Sequence, residues 1–372
     1  MKHYAGLDVS NAETSICIVD NEGNFVKEVK VESCPEAIDR YFRKQPLELE
    51  KIGLEAGGLS HWLVSGLRAR GWQGVVCIDS HLMATILAVN VNKTDRNDAR
   101  AIANAIRCNN YKEVHIKSIE SVKTNALLTS RHALVKQKTH LYGVLRGVLK
   151  TFGLKLGKGN ESPRKAIKET LRLEEISPDE HKLSKHVDWS VIETVLCCYE
   201  NAHEQLKILD KKLELLAKQD KVARCLMTHP GVGVVTAMAF KAEIDDPARF
   251  KKSRSVGAYF GMAPKQYSSG EIIKQGRISK NGSKEVRALL HEAGVVLLTR
   301  TPKQDSKLKR WGLKKRQKLK LQKASMAVGR KIAINLHRMW LENRDFDPQL
   351  DAEEFYHEAK STRGKRKNAS KV

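Results

Sequence analysis

The alternation of apolar and polar positions changes character twice along the chain. Over the first 118 residues the period is short. Tyr4–Val9, Thr14–Val19 and Phe25–Val31 are β-like runs separated by turn residues such as Asn21, Glu22 and Gly23, which predicts three hairpin-spaced strands. A helical pattern follows over Glu36–Lys44, then a strand over Lys51–Glu55 and a helix over His61–Arg70. A strand at Val75–Asp79 and a helix at Asp95–Arg107 complete the segment. The order βββαβαβα predicts an α/β domain with a mixed central sheet over residues 1–118.

From 119 to 222 the strand signal gives way to a longer period. Leu127, Leu134, Leu141 and Val148 recur at sevens. Val195, Tyr199, Ala202, Leu206, Leu209, Leu213 and Leu216 alternate in steps of four and three, the spacing of a heptad seam. This predicts a helical spacer that is either a coiled-coil arm or an ordinary helix on a core. The Lys-, Gly- and Ser-rich stretch from Thr151 to Ser190 reads as the turn of a long helical hairpin. Residues 223–345 form a third unit, helical and basic, and 346–372 a basic tail whose end, Ser361–Val372, is expected to be disordered.

Charge narrows the function. Lys and Arg number 67 against 43 Asp and Glu, a formal net charge of +24, which favours a polyanionic partner, most often nucleic acid. No apolar run approaches the roughly eighteen residues of a membrane span, and the amino terminus has no secretory pattern, so a cytoplasmic, nucleoid-associated protein is expected. Cysteines 17, 34, 77, 108, 197, 198 and 225 form no C-x-x-C pair, which argues against a disulfide framework or a cysteine zinc site.

Four acids stand out. Asp8 lies inside the apolar strand Ala5–Ser10, where a carboxylate is costly unless paired or bound to a cation. Glu55 ends the apolar run Ile52–Leu54 and is followed by Ala56, Gly57 and Gly58. Asp95 and Asp98 open the helix after Thr94, three apart and on one face, where acids also suit helix capping and the dipole. Two strands and a following helix of one sheet thereby supply four carboxylates. Such a set can hold two divalent cations about 3.5–4 Å apart for phosphoryl transfer. Hard oxygen donors select Mg2+ or Mn2+ over zinc.

The third unit carries two further motifs. His229-Pro230-Gly231-Val232-Gly233 separates helical runs at Lys221–Thr228 and Val234–Ala242, so it is either a plain turn or a hairpin whose Gly231 and Gly233 turn backbone N–H groups toward a phosphate. Pro264–Glu271 reads as the end of a helix and the start of a loop carrying Ser268, Ser269 and Gly270. Serines there are ordinarily turn residues. A nucleophilic role needs cations on the phosphate, and Arg277, Lys280 and Arg287 are the candidates. Gly153–Lys158 lacks the spacing of a nucleotide-binding loop. The thirteen histidines show no metal-ligand spacing and read as satisfied surface groups.

The order Gly-Leu-Asp8-Val-Ser, Glu55-Ala-Gly-Gly and Thr-Asp95-Arg-Asn-Asp98-Ala resembles the amino-terminal DEDD half of the IS110 insertion-sequence transposases, relatives of the Piv DNA invertases. Pro230-Gly-Val-Gly, Phe250 to Pro264, Ser268-Ser269-Gly270 and Arg277-Ile-Ser-Lys-Asn-Gly resemble that family's carboxy-terminal transposase domain. The resemblance spans Tyr4 to Trp340. It implies a RuvC-like, ribonuclease-H-type first domain with Asp8, Glu55, Asp95 and Asp98 as its metal-binding catalytic quartet. It further implies a mainly α transposase domain with a helix-hairpin-helix element and Ser269 as nucleophile, Ser268 being the alternative by one position. A coiled coil that assembles a homodimer or tetramer is implied too, as are donor and target DNA as substrates and a guiding bridge RNA.

The function expected is site-specific DNA recombination by metal-assisted serine attack. The alternatives are a RuvC-like, metal-dependent, structure-selective nuclease that uses water, and a basic binding protein without catalysis. The segment Lys303–Lys323 and the tail Asp351–Val372 exceed what the core motifs require and are candidates for nucleic-acid backbone contacts.

Overall fold

The computed structural model describes residues 1–87, 94–156, 162–175, 186–269, 272–300 and 305–349. The expected disordered tail, Ser361–Val372, and the Gly157-Lys158 pair lie outside the described residues. The chain packs as two units, Met1–Ser118 and Ile119–Val372.

The first unit is built on a five-stranded mixed sheet in the order β3-β2-β1-β4-β5. Its strands are β1 (Lys2–Val9), β2 (Glu13–Asp20), β3 (Phe25–Glu32), β4 (Glu48–Glu55) and β5 (Val75–Ile78). β1, β2 and β3 form an antiparallel meander, while β1, β4 and β5 run parallel. The parallel pairs need crossovers, supplied by α1 (Pro35–Arg43) between β3 and β4 and α2 (Ser60–Ala69) between β4 and β5. Period-two alternation sorts the side chains. Ala5, Leu7, Ile16, Ile18, Ile52 and Leu54 are buried with Ile38 and Phe42 of α1 and Leu63, Val64 and Leu67 of α2.

The other face receives α4 (Asp95–Arg107). Thr94 caps it, its hydroxyl accepting from the Asn97 N–H at 3.3 Å. Gly6 sits under this helix, where a Cβ would come within 2.1 Å of the Ala99 carbonyl and 2.4 Å of the Ala103 nitrogen. Ala99 and Ala103 themselves pack with Cys17 and Val19. The small residues on both sides bring helix backbone nearly onto strand backbone. A further helix, α3 (Ser80–Leu87), follows β5 and has no counterpart in the periodicity reading.

The second unit opens with α5 (Ile119–Thr151) and α7 (Trp189–Gln219), joined through α6 (Pro163–Glu175). The stretch read as the turn of a long helical hairpin thus contains a helix of its own, fixed by Arg164, which forks to Glu193 at 2.7 Å and Glu200 at 2.9 Å. α5 and α7 lie antiparallel: the Tyr142 and Tyr199 rings are 6.1 Å apart, and Arg131 Nε donates to Asp210 Oδ1 at 2.5 Å. Ala202, Leu206 and Leu213 of the seam are buried, but Leu216 is 37% exposed and Ala217 is buried in its place.

The rest is α8 (Lys221–Met227), α9 (Val234–Ile244), a 3-10 turn at Pro247–Arg249, α10 (Arg254–Tyr259), β6 (Pro264–Ser269), β7 (Ile272–Ile278), α11 (Lys284–Thr299), α12 (Lys307–Lys318) and α13 (Leu321–Glu342). Phe240, Phe260, Leu290, Leu297, Val328, Ile332 and Leu336 centre its core. Among the described residues no helix is long and apolar enough to cross a membrane, and all seven cysteines are free thiols.

Candidate functional site

Sheet register gathers the acids. Asp8 pairs with Ser15, and Ser15 pairs with Lys30 on β3. Glu55 follows Leu54, the residue opposite Leu7, so it stands beside Asp8 at the carboxyl ends of two parallel strands. Asp8 and Glu55 share sequence parity with Gly6 and Gly53, which meet α4. All four acids therefore belong to one end and one face of the sheet, because the first turn of α4 brings Asp95 and Asp98 there.

Their environments differ. Asp98 is only 8% exposed, and among the described residues its carboxylate makes no hydrogen bond or ion pair. Asp8 and Glu55 are half-buried and each has a partner. The Asp95 side chain is 64% exposed and is drawn toward β3, where Lys30 Nζ lies 3.0 Å from its Oδ2. That hydrogen bond raises the Lys30 pKa, with the charges of Asp95, Glu13 and Asp8 adding to it. Arg96 is tied to Glu28 at 2.5 Å, so two ion pairs link the start of α4 to β3.

Among the described residues no three His, Cys, Asp or Glu side chains are close enough together to hold a metal ion. The donor set nevertheless fits one. It is all hard oxygen, and Asp98 is the least exposed of the four acids, at 8%.

Over Pro264–Ser269 the reading of a helix end and loop is overturned, while Gly270 and Glu271 lie outside the described residues. Pro264–Ser269 is β6, paired antiparallel with β7, with Ser268 opposite Ile273 and Ser269 opposite Ile272. Ile272, Ile273 and Ile278 favour an extended chain. Arg277 is exposed on β7. Lys280 follows with φ of 61°. Arg287 is placed otherwise than its expected phosphate role requires. It is 9% exposed, and its Nη1 donates to the carbonyls of Phe260 and Asn281, each at 2.9 Å. The guanidinium thus fixes the turn that carries Lys280.

The Pro-Gly segment connects α8 to α9. Gly231 has φ of 85°, and a Cβ there would lie 2.6 Å from the Ala293 carbonyl, so glycine is required for close approach. Gly233 is exposed, precedes α9 and provides no side-chain cap. Histidines expected at the surface prove buried at three positions, His3, His229 and His337. His337 is held by Ser253 and the Pro247 carbonyl, both at 2.9 Å. His229 is 1% exposed, contacts the Pro230 carbonyl through Nδ1 at 2.9 Å and leaves Nε2 without a partner.

Two residues bearing on these sites carry little sequence signal. Lys30 is one of several polar residues on an alternating strand, and only its register against Ser15 and Asp8 brings it to the acids. Leu216 fits the heptad spacing as well as Leu213 does, and helix geometry alone turns it outward.

Comparisons with known proteins point the same way at both ends of the chain. Residues 5–153 match the DEDD transposase model of the IS110 group, and residues 223–309 match the model described as transposase IS116/IS110/IS902 family. The transposase for insertion sequence element IS1111A of Coxiella burnetii is 27% identical over 308 residues, covering 82% of this chain and 80% of that protein. The transposase for insertion sequence element IS1328 of Yersinia enterocolitica is 29% identical, covering 60% of this chain and 64% of its own length. A probable family 20 transposase of Pseudomonas aeruginosa is 26% identical, covering 82% and 87%.

Proposed function

The chain belongs to the IS110 family of transposases, and from that premise we propose that it recombines insertion-sequence DNA by serine attack assisted by a divalent metal ion. The observation that carries the proposal is that Asp8, Glu55, Asp95 and Asp98 are all carried at one end and on one face of the sheet. In this reading the four acids hold Mg2+ or Mn2+, which supplies charge neutralisation at the scissile phosphate.

Ser269 is the nucleophile and Ser268 its one-residue alternative. The serine oxygen forms a bond to phosphorus as it gives up its proton. The bond from phosphorus to the departing sugar oxygen breaks, and that oxygen leaves as a hydroxyl. A hydroxyl of the exchanged strand later reverses the step, so the ester energy is retained and no nucleotide is consumed. Arg277 and Lys280 neutralise the phosphate from the hairpin side. Arg287 positions Lys280 through the two carbonyls it holds. Gly231 and Gly233 belong to a helix-hairpin-helix element, supported by α8, α9 and the turn between them, where Gly233 is exposed just before α9.

In the same reading α5 and α7 pack as a coiled-coil arm, supported by the buried Ala202, Leu206 and Leu213, and the arm assembles a dimer or tetramer through apolar residues left exposed on α7, Ile208, Leu215 and Leu216. A bridge RNA selects donor and target DNA.

Trapping tests the chemistry. Wild-type protein incubated with element DNA and Mn2+ should give a covalent adduct that survives denaturation, and Ser269→Ala should abolish it while leaving DNA binding intact. An adduct that persists in both Ser269→Ala and Ser268→Ala removes the serine assignment. Cleavage with no adduct in any variant assigns the water-using nuclease instead. Asp8→Asn should bind DNA and do neither. Sequencing RNA that co-purifies with the chain tests the guide: no enriched species complementary to element and target means no bridge RNA.

A further inference from the structure

The geometry points to a second DNA-contacting element outside the acids and the serine hairpin: the free end of α12, which we propose enters the major groove of B-form duplex DNA. Helix α12 is anchored through its first turns. Ser306 caps it, accepting from the Lys309 N–H at 3.1 Å, and Leu308, Lys309 and Gly312 are buried. From Leu313 to Lys320 every residue is exposed. The helix therefore runs out of the packed body for its last two turns before the chain re-enters at Leu321, which is half-buried.

This projecting end carries Lys314, Lys315, Arg316, Lys318 and Lys320, with Lys323 exposed just beyond. No acid occurs between Asp305 and Glu342, and Asp305 itself is paired with Arg310. The cations therefore have no carboxylate within their own segment.

Their distribution decides the partner. At about 100° per residue, Lys314, Lys318, Lys315 and Arg316 lie at roughly 0°, 40°, 100° and 200° around the helix axis. A flat row of phosphates would meet one face of such a helix and leave the rest in water. A groove with phosphates on both walls meets them all. The major groove of B-DNA is about 12 Å wide and admits a helix about 10–12 Å across. The major groove of A-form RNA is too narrow and deep for side chains to read. A single strand is disfavoured too, because Trp311, the aromatic of this helix, is half-buried with Lys315 and Lys331 about its ring at 5.6 and 5.8 Å. Cations at the C-terminal end of a helix also suit its dipole.

The inference rests on the reading of the chain as a DNA-acting enzyme. Its test uses the full chain with Lys314, Lys315, Arg316 and Lys318 all changed to Gln, and the matching all-Lys/Arg exchange as the conservative control. Binding to a DNA duplex and to an RNA duplex of the same sequence is followed by fluorescence anisotropy across a salt series. Losing four phosphate contacts should flatten the logarithmic salt slope for DNA by about 3–4, with the exchanged control unchanged and the RNA slope altered by less than about 1. Guanine N7 positions should be protected from methylation by the wild type and not by the Gln variant. An unaltered DNA slope overturns the surface. An equal loss on RNA, or unprotected N7 positions, overturns the groove. All four side chains are exposed, so an unchanged melting temperature certifies the fold. The serine adduct reads separately: an adduct with an unaltered slope sinks only the helix, and a flattened slope without any wild-type adduct sinks only the serine chemistry.

Discussion

His229 opens the turn between α8 and α9 as a fully enclosed imidazole, its ring 4.4 Å from that of Phe346. Burial pushes its pKa from 6.5 down to about 4, opposed in part by the Pro230 carbonyl. The folded state thus takes up its proton at lower pH than the unfolded chain does. Stability from this residue is complete above about pH 6.5 and is lost as pH falls toward 4, an effect of about 3 kcal/mol. Urea midpoints across pH 4 to 7 for wild type and His229→Gln should therefore converge toward acid, since the variant has no imidazole to charge; parallel curves would refute the assignment. Arg287 illustrates the opposite use of a charged group. Replacing it with Met strands the Phe260 and Asn281 carbonyls and should cost about 2–3 kcal/mol in denaturant melts. A melt unchanged by the substitution would return Arg287 to the phosphate. Neither role is written in the sequence: a histidine before Pro-Gly and an arginine on an amphipathic helix look alike whether they face water or the core.

Helix α4 is the element on which the acidic site depends. It is held at the sheet by the absence of a side chain at Gly6, and Gly6→Ala should push it away from β1. Over-packing of this kind costs about 1–3 kcal/mol. Because Asp95 and Asp98 lie in the first turn of the same helix, the substitution should also weaken the thermal stabilisation given by Mn2+, read as a smaller shift in melting temperature on adding the ion. A full Mn2+ shift in Gly6→Ala would mean that α4 does not set the acids. The strands of this unit are legible because they carry apolar runs or, in β3, strict alternation between polar turns, and β1, β2 and β3 begin or end within two residues of expectation. The acids are legible for a related reason: a carboxylate at the end of such a run has no packing explanation. What the pattern hides is short or mixed. Ser80–Leu87 is apolar without a clear period, and Pro163–Glu175 is a polar helix embedded among glycines, lysines and serines. The hairpin of β6 and β7 is hidden because Pro264–Ser269 is polar, its strand signal lying across the turn in Ile272 and Ile273. The seam on α7 is visible as spacing, yet spacing alone makes Leu216 equivalent to Leu213, and only one of them is buried.

At the scale of the whole molecule, a net charge of +24 guarantees strong attraction to any nucleic acid, so binding alone says little about how the two ends of the chain cooperate. The acids lie in Met1–Ser118 and the serines in Ile119–Val372. If one catalytic centre takes acids from one subunit and a serine from another, defects in the two halves complement in a mixed assembly. A subunit bearing Asp8→Asn keeps its serine, and one bearing Ser269→Ala keeps its acids. In a mixed dimer one of the two centres is then wholly intact and the other doubly defective. Random mixing makes half of the dimers heterodimers, so equal amounts of the two inactive proteins, unfolded and refolded together, should recover about a quarter of wild-type adduct formation. A centre built within a single subunit recovers nothing under the same treatment, because each subunit carries a lesion that no partner replaces. The adduct from the mixture must sit on the Asp8→Asn chain, the one that retains Ser269, and a size tag on that chain makes the attribution direct.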